Sequence, residues 1–110
     1  MIRDTIDRLE ARLADADGMD SEKRRELLTM LDALREEVDA LAESDRDRAR
    51  SIAAFAEAST NEATRRDGDP ELFELSVKGL TKSVDKLEAS HPKLTQAVGK
   101  FCELLSNLGI

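Results

Sequence analysis

The sequence predicts an all-α protein, a short N-terminal helix followed by a long antiparallel helical hairpin patterned in heptads. Three observations carry this expectation. From Phe73, apolar residues recur at Val77, Leu80, Val84, Leu87, Leu94, Val98, Phe101, Leu105 and Leu108, in steps of four and three, and His91 fills the one missing place. Such a seam belongs to a helix that buries one narrow stripe against other helices. A second seam runs through Leu27, Leu31, Leu34, Val38 and Leu41, meets Asp45 and Arg48, and resumes at Ile52, Phe55 and Ser59. Finally, facing positions in an antiparallel hairpin have residue numbers of nearly constant sum. Leu27 with Leu108, Leu34 with Phe101, Leu41 with Leu94, Ile52 with Val84 and Phe55 with Leu80 all obey this, and their common midpoint is Asp67-Gly68.

The first helix is expected over about 2–16, with Ile2, Ile6, Leu9 and Leu13 on one stripe. Asp17-Gly18 closes it, Gly18 supplying a left-handed cap. Asp20 is a good N-cap for the second helix, and Glu22 suits the positive end of its dipole. Because the heptad phase passes through Ser44–Arg50 without an insertion, the second helix reads as continuous over about 20–65, the alternative being a break there with Ser44 capping a fresh helix. Its later part is smoothed by Ala49, Ala53, Ala54, Ala56 and Ala58, which permits close helix approach. The turn at 66–69 follows, with Gly68 free to take positive φ, Asp69 as N-cap and Pro70 at the first helical position. A third helix is expected over about 70–108, kinked near Pro92 or split after Ser90, with Gly109 ending it and Ile110 folding back on the last turn. Each arm would be roughly 60 Å long. The first helix would return along the start of the second, received by the off-seam residues Leu28, Met30, Cys102 and Leu104.

Composition narrows the function classes. A chain of 110 residues with 37% charged and 3% aromatic residues makes one small helical domain. A net charge of −7 argues against nucleic acid or an anionic membrane as partner, since both require a basic face. The N-terminus lacks the apolar run of a signal peptide, and no window approaches the apolar length of a membrane span. A cytoplasmic protein is the expectation.

Few residues could carry chemistry. His91 and Cys102 are the only histidine and the only cysteine, and roughly 16 Å of helix separates them. They are too far apart to share a metal ion or act as nucleophile and base. Glu88 lies three residues before His91, but a helical metal site needs a second such motif, so neither metal nor cofactor is expected. No phosphate-binding loop or nucleophile elbow is present, and the chain does not read as an enzyme. The register sets His91 opposite Asp45 with Arg48 a turn away. This polar core layer reads first as a device fixing register and second as a pH-sensing group. Leu72 and Leu75, beside Gly79, form an apolar patch off the seam with no third helix in reach. They are the candidate oligomer interface, and a homodimer is favoured.

The segment Glu88-Ala89-Ser90-His91-Pro92-Lys93-Leu94, the ending Leu104-Leu105-Ser106-Asn107-Leu108-Gly109-Ile110 and the stretch Ser51–Ser59 resemble a bacterial family designated domain of unknown function 4404. The resemblance covers mainly about the last 40 residues and implies a small helical bacterial protein. It transfers no activity. The residues themselves point to a non-enzymatic helical scaffold or adaptor that self-associates and binds another protein. The alternative is a regulatory module sensing pH or a ligand at the Asp45/Arg48/His91 layer.

Overall fold

The computed structural model describes residues 2–108, and these are all helix and short connections. The chain forms α1 (Ile2–Asp15), α2 (Ser21–Ser44), α3 (Arg46–Thr64), α4 (Pro70–Val84) and α5 (Pro92–Ser106), with one 3-10 turn at Asp85–Leu87. The helices run up and down in one bundle of 38 × 24 × 22 Å. Gly109 and Ile110, read from the sequence as the closing cap, lie outside the described residues.

Local signals act where the sequence puts them at most positions, although Gly68 is not among the residues at positive φ. Ile2, Ile6, Leu9 and Leu13 are all buried, and Gly18 takes φ +74° between α1 and α2. The Asp20 carboxylate accepts from Lys23 N–H, capping α2, and Asp69 accepts from the N–H groups of Glu71 and Leu72, capping α4. Leu27, Leu31, Leu34, Val38 and Leu41 form the buried stripe of α2.

The long arms are where the structure departs from expectation. A straight hairpin of roughly 60 Å does not fit a molecule 38 Å long. The helix expected over 20–65 ends at Ser44, and Asp45 (φ −148°, ψ 80°) reverses the chain. Asp45 serves both sides of the break: its N–H donates to Leu41 O at 2.8 Å, and its carboxylate accepts from Arg48 N–H at 3.1 Å. The helix expected over 70–108 ends at Val84 and restarts at Pro92. His91 (φ −137°, ψ 65°) lies outside the helical region, as a residue before proline favours. The helix is split rather than kinked, and the halves reverse instead of staying collinear.

The hairpin is therefore folded double, and it folds at the polar layer of both arms. Continuing two helices straight through Asp45, Arg48 and His91 would bury charge for little apolar gain. Breaking there returns those groups to the surface and stacks the halves. The antiparallel pairing survives within each half. α2 runs against α5, with Lys23 Nζ donating to Asn107 O at 3.0 Å, and α3 runs against α4 across the turn at 65–69.

α3 is the central helix and packs against all four others. Its small residues make that possible: Ala49, Ala53, Ala56, Ser59 and Thr60 are buried on it, around Ile52. The two hydroxyls are satisfied within the helix, Ser59 Oγ donating to Phe55 O and Thr60 Oγ1 to Ala56 O, each at 2.9 Å. α1 lies antiparallel to α2, with Arg35 bonded to Asp7 at 2.8 Å, and parallel to α3, with Arg8 gripping Glu57 at 2.8 and 3.2 Å. The Asp7 and Glu57 carboxylates hold their arginines above the ordinary guanidinium range, by hydrogen bonding first and charge second for Arg8. α1 thus packs on α2 and α3, and Met30 and Leu104 instead line a shallow hollow between α2 and α5.

Candidate functional site

α4 sits at the edge of the bundle, packed on α3 and α5. It buries Phe73, Leu80 and Val84 and leaves Leu72 and Leu75 exposed, at 45% and 57%. Residues 72, 75 and 79 recur at three and four, so they share one outward stripe. At Gly79 the stripe has no side chain of its own. The ring of Phe55, from α3, occupies that place: a Cβ at Gly79 would lie 2.9 Å from Phe55 Cζ and nearer still to two other ring atoms. Gly79 is therefore a close-approach glycine.

Phe55 corrects the register. It was expected on the core seam opposite Leu80, yet it is 39% exposed. The reversal at Asp45 places α3 inside the bundle, and its inward faces are filled by Ile52 and small residues. A ring as large as Phe55 is turned to the rim, where it lies over Gly79, the last position of the Leu72–Leu75 stripe. No periodicity count would find it, although the glycine one turn beyond Leu75 was the available signal.

Charge on this helix is ordered. Glu71 and Glu74 lie at its start, Lys78 and Lys82 towards its end, and all four are exposed. By helical spacing they line one flank of the apolar stripe. Among the described residues none of the four enters an ion pair. A groove of about 650 Å3 runs beside them, bordered by Phe73, Leu75, Val77 and Thr81.

The expected polar core layer does not form as a layer. Asp45 and Arg48 are paired at 3.4 Å with side chains 46% and 37% exposed, at the start of α3. His91 is at the start of α5, half-buried, and its Nδ1 lies 3.0 Å from Ser90 Oγ. The ionic contact recorded for Asp45 is with Arg48, and none joins it to His91. The groups are helix starts at two chain reversals. A buried carboxylate that the sequence reading passed over lies at the other end of the bundle. Glu62, 9% exposed, accepts from Asp69 N–H at 3.1 Å and Arg65 at 3.0 Å, tying down the turn between α3 and α4.

Cys102 is 8% exposed, and burial pushes its thiol up to about 11. The thiolate is the reactive form, so this cysteine is a core residue. Iodoacetamide is expected to leave it unmodified in the folded protein near a pH of about 8 and to label it fully in urea. Rapid labelling without denaturant, seen by mass spectrometry, would show that the buried face of α5 is not covered as described. Among the described residues, no group of three or more His, Cys, Asp or Glu side chains is placed to hold a metal ion, and no helix is long and apolar enough to cross a membrane.

The model of one protein family, domain of unknown function (DUF4404), matches residues 27–110. No curated protein and no solved structure matches the chain. The family match begins within α2 and takes in α3, α4 and α5, including the whole apolar surface on α4.

Proposed function

The chain belongs to the DUF4404 family, and from its geometry we propose that it is a non-enzymatic helical adaptor that self-associates and binds another protein. The observation that carries this reading is the exposure of Leu72 and Leu75 on the edge helix α4, with the exposed Phe55 of α3 beside Gly79 on the same stripe. Large apolar side chains exposed together cost free energy in water, and burial against a partner recovers about 25 cal/mol per Å2 of apolar surface. The charged side chains around them would form the polar rim of such an interface.

The test is the mass in solution. Sedimentation equilibrium is expected to give a dimer for the wild-type protein and a monomer for Leu72→Glu/Leu75→Glu, with helical content unchanged because both residues are exposed. An identical mass before and after the change would remove α4 as the interface.

A further inference from the structure

The order of charge on α4 specifies how two copies would meet. Resting on the self-association proposed above, we infer that the partner on this face is a second copy of the chain, packed antiparallel across α4 about a two-fold axis near Leu75. In a two-fold antiparallel pair, each flank of one helix lies beside the same flank of the other, with the direction reversed. The flank of α4 is acidic at its start and basic at its end. Reversal therefore sets Glu71 and Glu74 of one copy, within a helical turn, beside Lys82 and Lys78 of the other, and the symmetry repeats both contacts. A parallel two-fold pair would set this flank beside the opposite flank of the partner, away from the partner's four charges.

The apolar stripe obeys the same operation. With the axis near Leu75, the two Leu75 side chains pack on each other, and Leu72 reaches the position of Gly79 in the second copy. There it meets the Phe55 ring, which occupies the place that a side chain at Gly79 would take. A leucine packed on an exposed aromatic ring removes apolar area on both from water. The surface is thus self-complementary in charge and in apolar pattern under one operator. The chain as a whole carries a net charge of −7, so an acidic protein has its local basic residues where its own acidic residues would arrive.

Charge reversal tests this by sedimentation equilibrium. Glu71→Lys/Glu74→Lys alone, and Lys78→Glu/Lys82→Glu alone, each replace every attractive contact by a like-charge one. Each is expected to raise the dimer dissociation constant about a hundredfold. An equimolar mixture of the two variants is expected to form a heterodimer, which also shows that both remain folded. The variant carrying all four reversals restores every contact of the antiparallel pair and is expected to dimerise like wild type. Wild-type dissociation constants for the two double variants, in a protein whose dimer is lost in Leu72→Glu/Leu75→Glu, would overturn the antiparallel arrangement and leave self-association standing. A monomeric wild-type protein would overturn both.

Discussion

Replacing Phe101 by alanine is expected to lower the stability of the fold by about 3–5 kcal/mol, the range for truncating a buried aromatic side chain. Phe101 is fully buried on α5, the helix that runs along α2, and it is among the largest fully buried side chains of the core. Its removal takes apolar area away from the core and leaves a cavity that rigid neighbouring helices fill only in part. Small domains are stable by roughly 5–15 kcal/mol, so this one side chain accounts for a large fraction of the total. The melting temperature should fall by about 12–20 °C. Urea unfolding followed by circular dichroism checks it, with an unchanged slope showing that the same surface is exposed on unfolding. A fall of only a few degrees would mean that α5 does not pack as described.

Enlarging Ala53 to leucine should destabilise the protein by about 1–3 kcal/mol, although alanine to leucine raises apolar content at little cost in helix propensity. Ala53 is 2% exposed on the central helix, so three more carbons there must displace buried neighbours. In a straight two-helix hairpin the same residue would lie well off the seam and would accept leucine freely. Ala54→Leu is the control: Ala54 is exposed, and a surface change of this kind stays within about 0.5 kcal/mol. Thermal unfolding of the two variants side by side distinguishes the folded-double bundle from the extended hairpin. Equal melting temperatures would argue for the extended form.

The reach of sequence reasoning can be followed residue by residue. The stripes of α1 and α2 were legible because a core-facing helix repeats apolar residues at three and four, and every residue named on them is buried. The turns at Gly18 and at 65–69 were legible because positive φ, an aspartate cap and a proline at the first helical position are local requirements. Leu72 and Leu75 were legible as a patch because they fall outside the seam. The flank of Glu71, Glu74, Lys78 and Lys82 was overlooked, since exposed charge on a helix is ordinary until its neighbours are known.

The sequence by itself determined the helical class and the buried stripes of α1 and α2. Those properties depend on helix periodicity and local capping, which act over a few residues. The tertiary structure alone decided that both arms reverse, at Asp45 and between Val84 and Pro92, and hence that α3 is central and Phe55 faces outward. Periodicity records which residues share a face, and facing breaks in both arms leave that record unchanged. The choice between one long hairpin and its folded form rests on burial summed over the whole chain. Folding double covers α3 from several sides and frees Asp45, Arg48 and His91 from the core, a gain that no single stretch of sequence contains.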